Sequence, residues 1–151
     1  MTTSLAMVRR IAARPSIVFE ALATAEGIAS WWGPEALPVL AAEFDASVGG
    51  AYRVRFQTGD GQQHEAFGQV LDIDPPYRLT MSWAYAHGGE PEEAGRTSRL
   101  EFVLRAIDGG TELTFTQTDL KNEVSRQNHE HGWAGAFAKL VARLGALTPE
   151  G

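Results

Sequence analysis

The sequence contains no cysteine. That absence removes disulfides, thiolate metal sites, a thiol nucleophile and cysteine redox chemistry together. It suits a bacterial-type cytoplasmic protein, where thiols stay reduced and bridges are not used. Long apolar runs are missing too, and nothing approaches the ~18 residues of a membrane span. Arg9 and Arg10 follow the apolar stretch Leu5 to Val8, the wrong side for a signal peptide. No membrane span and a cytoplasmic location are therefore expected. Positive charge is scarce: 13 Lys+Arg stand against 19 Asp+Glu, for a net charge of −6. A binder of phosphate backbones needs a basic footprint, so no nucleic-acid partner is expected.

Several catalytic signatures are also lacking. There is no Gly-x-Ser-x-Gly elbow, no Gly-x-x-x-x-Gly-Lys phosphate loop and no His-Glu-x-x-His zinc motif. His129 and His131 are two apart, and on a helix their rings point about 200° away from each other, too far to grip one metal. The carboxylates Glu43 with Asp45 and Asp72 with Asp74 share strand faces, as do Arg53 with Arg55 and Arg99 with Arg105. Solvated outer-face charge explains them better than acid–base or anion chemistry. No metal, cofactor or catalytic residue is nominated.

What is present is an ordinary globular composition, 44% hydrophobic and 21% charged over 151 residues. Surface scaling predicts a folded area of roughly 7,500 Å² and burial of about two-thirds of the unfolded surface. One domain over residues 1–151 is expected. Leu5, Met7 and Ile11 suggest a first strand. Pro15 then opens a short helix carrying Val18, Phe19 and Leu22, and a second runs from Ile28 to Trp32, ended by Gly33-Pro34. From there the period becomes two. Leu40, Ala42 and Phe44 form one strand face, and Tyr52, Val54 and Phe56 another before the turn Gly59-Asp60-Gly61. Phe67, Leu71 and Ile73 lead to Asp74-Pro75-Pro76, and Leu79, Met81, Trp83 and Tyr85 alternate up to a long loop over 87–95. Leu100, Phe102 and Leu104, then Leu113 and Phe115 after Asp108-Gly109-Gly110, complete six strands of an antiparallel meander. Trp133, Phe137, Leu140, Val141 and Leu144 make the stripe of a long amphipathic helix. Seven strands with one face to bury, and a helix to cover it, read as an α+β, helix-on-curved-sheet fold.

The aromatic residues are the most informative. Four tryptophans, Trp31, Trp32, Trp83 and Trp133, are many for this length. Adjacent rings on a helix cannot face the same way, so one of Trp31 and Trp32 is expected inside and the other toward a rim or a neighbour. Gly132 and Gly135 around Trp133 suggest either close backbone approach or room for a ligand.

The segments Ile11-Ala-Ala-Arg-Pro-Ser-Ile-Val-Phe19, Trp31-Trp32-Gly33-Pro34 and Asp45-x-x-x-Gly49-Gly50-Ala-Tyr52 resemble the START-like SRPBCC superfamily. The branch is that of the activator of the ninety-kilodalton heat-shock-protein ATPase homologue-like proteins. Gly68-Gln-Val-Leu-Asp-Ile-Asp-Pro-Pro76, Gly110-Thr111-Glu-Leu-Thr114 and His131-Gly132-Trp133 extend the match from about residue 9 to 144. The resemblance implies a helix-grip fold, with seven antiparallel strands around the C-terminal helix and two short helices plugging one end. It also implies an apolar cavity between sheet and helix. Trp31, Trp32, Phe44, Phe56, Phe67, Trp83, Phe102, Phe115, Trp133 and Phe137 are the expected ligand-binding residues, with Gln69, Gln117 or His64 orienting the ligand. The expected partner is a hydrophobic or amphipathic small molecule, and a second copy of the chain is the alternative contact. A cyclase- or dehydratase-type enzyme using the same cavity is the rival reading. A chaperone-interacting module, favoured if Trp32 sits in an exposed patch, is the third.

Overall fold

The computed structural model describes residues 3–32, 39–57, 61–87 and 96–145. The Gly33-Pro34 stop, the 59–60 half of the first hairpin turn and most of the 87–95 loop lie outside them. Strand β1 (Thr3–Ile11) is followed by helices α1 (Pro15–Leu22) and α2 (Ala25–Ala29). Then come β2 (Val39–Phe44), β3 (Ala51–Gln57), β4 (Gln63–Asp74), β5 (Arg78–His87), β6 (Ser98–Ile107), β7 (Gly110–Leu120) and helix α3 (Glu123–Leu144). The strands form one antiparallel sheet in the order β1-β7-β6-β5-β4-β3-β2. This is the helix-grip arrangement read from the sequence, with an accessible surface of 7663 Å².

Local chemistry sets the helix boundaries. Pro15 occupies the first turn of α1, where its missing N–H costs nothing. Thr24 caps α2 by accepting from the Gly27 N–H, and Asn122 caps α3 by accepting from that of Ser125. Along the strands, period-two alternation buries one face: Leu5, Met7 and Ile11 on β1, Leu79, Met81 and Trp83 on β5, Leu100, Phe102 and Leu104 on β6, Leu113 and Phe115 on β7. Helix α3 contributes Trp133, Phe137 and Leu140 to the same core.

Departures from plain alternation matter most in two of the strands. In β2 the register shifts between Val39 and Ala41, so Val39, Ala42 and Phe44 pack against the core while Leu40 is exposed. In β4 the unbroken register with β3 sets Ala66 opposite Val54 and Gly68 opposite Tyr52, so Ala66 and Val70 face the core, and a shift between Val70 and Asp72 then returns Ile73 to it. Phe67 and Leu71 are consequently exposed, against the face assigned to them from the sequence. An extra residue at a bulge moves every later side chain to the other face, and alternation cannot reveal where it falls.

Several of the strand arginines are paired with neighbouring carboxylates, Arg53, Arg55 and Arg105 among them. Arg53 and Arg55 reach Glu65 at 3.7 and 3.2 Å, and Arg78 reaches Asp72 at 2.6 Å. Arg105 and Arg10 share Glu112 at 2.9 and 3.5 Å. Hydrogen bonding from Arg105, aided by Arg10, holds the Glu112 carboxyl below its ordinary range.

Candidate functional site

The site grows from the end of α2. The carbonyl of Ile28 accepts the N–H groups of both Trp31 and Trp32, at 3.2 and 3.1 Å. These residues lie past the last helical residue, Ala29, so helical geometry no longer separates their rings. Both turn inward, with relative exposures of 0% and 1%. The expectation that one would reach a rim fails for this reason, and with it the exposed patch built on Trp32.

Four indoles and three phenylalanines form one continuous layer between sheet and helix. Trp31 stacks on Phe137 at 5.3 Å, Phe115 lies 4.8 Å from Trp133, and Phe102 lies 5.0 Å from Phe115. Trp32 meets Trp133 edge-on at 5.4 Å and Trp83 at 5.4 Å, and Trp83 lies 5.3 Å from Trp133. At this level the rings occupy the interior instead of surrounding an empty one.

Their polar atoms divide the layer. Trp31 Nε1 donates to the Ala21 carbonyl at 2.8 Å, and Trp133 Nε1 donates to Gln117 Oε1 at 2.9 Å. Gln117 passes the connection on, donating from Nε2 to Ser98 Oγ at 2.9 Å. Gln117 is fully buried and faces inward, but it is already engaged by Trp133 and Ser98. Trp32 Nε1 and Trp83 Nε1 are sealed from solvent and have no hydrogen-bond partner. Buried indole N–H groups ordinarily find one, so two adjacent unpaired donors are a departure that needs an explanation.

Beside Trp83 the wall becomes polar. The half-buried Tyr85 packs edge-on to Trp83 at 5.5 Å, and its hydroxyl lies 3.1 Å from His129 Nε2. His129 Nδ1 lies 2.8 Å from the Ser125 carbonyl, one turn earlier on α3. That carbonyl can only accept, so Nδ1 carries a proton there, and Nε2 shares a hydrogen bond with the Tyr85 hydroxyl. Tyr52 packs against Trp32 at 6.0 Å and donates its hydroxyl to the Ser82 carbonyl. Burial, with Tyr85 nearby, pushes its ionisation well above the ordinary tyrosine value. His64 is buried and stacks on Phe56 at 5.4 Å.

Of the ten residues nominated from the sequence, Trp31, Trp32, Trp83, Phe102, Phe115, Trp133 and Phe137 come together in the layer. Phe44 and Phe56 flank it, half-buried, through Tyr52 and His64. Phe67 stands apart, 42% exposed, and Gln69 is exposed as well. Sequence reasoning missed Tyr85, Ser125 and His129 as a connected group. Ser125, His129, Trp133 and Phe137 recur every four residues, and that spacing was the available signal. His131, off this stripe, is exposed. No group of three His, Cys, Asp or Glu side chains suited to a metal exists among the described residues. None of their helices is long and apolar enough to cross a membrane.

Residues 12–145 match the family described as Activator of Hsp90 ATPase homolog 1-like protein. The chain belongs to that family. Its fold is that of protein CV1439 from Chromobacterium violaceum, with a TM-score of 0.82, 25% identity, and coverage of 93% of this chain and 96% of the other. The AHSA1 protein SPO3351 from Silicibacter pomeroyi gives a TM-score of 0.81 at 26% identity, covering 94% and 97%. The AHSA1-like protein from Aeromonas hydrophila, 18% identical, gives 0.73 over 93% and 90% and shares the fold. No curated protein matches the chain. The family assignment agrees with the START-like SRPBCC resemblance read from the motifs, and the fold is one suited in general to ligand binding.

Proposed function

We propose that this protein is a single-domain, cytoplasmic binding protein for a hydrophobic or amphipathic small molecule. The ligand seats between the sheet and α3, against Trp32, Trp83 and Tyr85, with the remaining inner-face aromatics as its support. The observation that carries this reading is the pair of buried indole N–H groups left without acceptors. An unmade buried hydrogen bond costs about 1–3 kcal/mol, and an acceptor brought in by a ligand removes that cost. The apolar wall would supply affinity at roughly 25 cal/mol per Å² of buried ligand surface, and the few polar groups would set orientation.

Native mass spectrometry of freshly purified protein tests this directly. A reproducible extra mass that disappears on denaturation is the expected result. A bare mass that persists after incubation with cell-extract small molecules overturns it.

A second reading rests on a different observation, the Tyr85–His129 hydrogen bond of 3.1 Å beside the same wall. A hydroxyl donor and an imidazole within hydrogen-bond reach are the parts of an acid–base couple for a cyclase- or dehydratase-type reaction. Turnover lost in both Tyr85→Phe and His129→Gln, with ligand binding kept, would favour the enzyme. Binding lost in both would favour the carrier.

A further inference from the structure

Resting on the ligand-site reading above, the geometry points to the class of group that the two free indoles receive. We infer that Trp32 and Trp83 form a two-donor clamp for a neutral oxygen acceptor, a ketone, ester or amide carbonyl, and select against a carboxylate of the same shape. A carbonyl oxygen has two lone pairs, and the rings that would share it lie 5.4 Å apart, centroid to centroid.

The surroundings select for neutrality. The rings touching Trp32 are those of Trp31, Tyr52, Trp83 and Trp133, and those touching Trp83 are Trp32, Tyr85 and Trp133. All are uncharged, and burial keeps Tyr52 protonated to a higher pH than usual. Lys139 donates from Nζ to the main-chain carbonyl of Trp32 at 3.1 Å. The guanidinium of Arg9 lies over Phe137, at 5.8 Å from its centroid, among the paired indoles. An anion here would lose its water among uncharged rings, whereas a carbonyl loses little on leaving water once two donors meet it.

Three probes of nearly one shape separate the outcomes: acetophenone with a carbonyl, isopropylbenzene with none, and benzoate with a charge. In nitrogen–proton correlation spectra, acetophenone is expected to move the Trp32 and Trp83 indole signals and leave those of Trp31 and Trp133 in place. Its affinity is expected to exceed those of isopropylbenzene and of benzoate by about tenfold each, the value of a hydrogen bond or two. Trp32→Phe and Trp83→Phe should each cut the preference for acetophenone over isopropylbenzene severalfold, whatever both probes lose in ring contact, while the Trp31 and Trp133 indole signals stay in place and show that the variants are folded. Equal binding of acetophenone and isopropylbenzene overturns the clamp and leaves the ligand site standing. Tighter binding of benzoate overturns the neutral class. No binding by any of the three, with all four indole signals unmoved, overturns the ligand-site reading and this inference with it.

Discussion

Two pairs of tryptophans share one aromatic layer and differ in where their N–H groups go. Trp31 and Trp133 donate to the Ala21 carbonyl and to Gln117, and so tie α1 and β7 to the core. Trp32 and Trp83 pack as closely and are as deeply buried, yet donate to nothing. The first pair is what a core built for stability looks like, every polar atom matched within the fold. The second keeps the same apolar contacts and leaves its polar atoms unmatched. Proteins retain such mismatches where function outweighs the stability lost.

The largest effect expected comes from the strand pairing behind the unpaired end. Tyr52 on β3 pairs with Gly68 on β4, and its hydroxyl reaches the Ser82 carbonyl on β5, so the ring crosses the sheet at a residue with no side chain. A Cβ built at Gly68 would lie 2.1 Å from that same Ser82 oxygen, which is main chain and cannot step aside. Gly68→Ala should therefore destabilise by about 3 kcal/mol or more in urea unfolding and displace Tyr52 from Trp32. An unchanged midpoint would mean that β4 and β5 can separate there without loss.

Next in size is the comparison itself, made with four Trp→Phe variants. Trp31→Phe and Trp133→Phe lose ring contacts and also strand the Ala21 carbonyl or Gln117 Oε1, so each should cost about 3 kcal/mol. Trp32→Phe and Trp83→Phe lose similar contacts but remove a donor that was already unpaired, which should hold the cost to about 1–2 kcal/mol. Equal losses across the four, measured by urea midpoints at a constant slope, would show that the two pairs are equivalent after all.

How much of this was legible beforehand follows from which interactions are local. The strands, the long helix and most of the inner face follow from alternation and from the Trp133, Phe137, Leu140 stripe, because burial on one face imposes a period. Phe67, Leu71 and Ile73 suggested one inner face of β4, but the pairing with β3 sets Phe67 beside the outward Arg53, and the bulge before Asp72 leaves Ile73 on the other face from it. Trp31 and Trp32 were judged by helical geometry one turn too far, since helix ends depend on hydrogen bonds that a sequence does not display. The partnering of the four indoles rests on contacts between residues as distant as Trp133 and Gln117 or Tyr85 and His129. Only the fold brings those groups together, and only the fold reveals which donors it leaves over.

A third test reads the electrostatics of the unpaired end. Tyr52 keeps its proton in the folded state to a higher pH than in the unfolded chain, where tyrosine ionises near ~10. The folded state then holds more protons above that pH, so this contribution is complete below about pH 10 and is lost as pH rises further. Stability should fall by up to about 1.4 kcal/mol per pH unit from this one group. Tyr52→Phe should flatten that alkaline decline, at the cost of the bond to Ser82. If the slope survives the substitution, another phenol carries it.

The smallest expected effect checks the paired end without touching its rings. Gly132 precedes Trp133 in α3, and its position suggested either a close approach of backbone or space for a ligand. A Cβ placed there meets nothing within 4 Å, and the residue is exposed, so the glycine serves neither purpose. It carries only the backbone entropy that glycine loses in a helix. Gly132→Ala should raise stability by about 0.5–1 kcal/mol and leave the Trp133–Gln117 bond and the binding of acetophenone as they were. A loss of stability instead would mean that α3 bends or docks at this point, and Trp133 would then owe its position to the helix backbone as well as to its ring contacts.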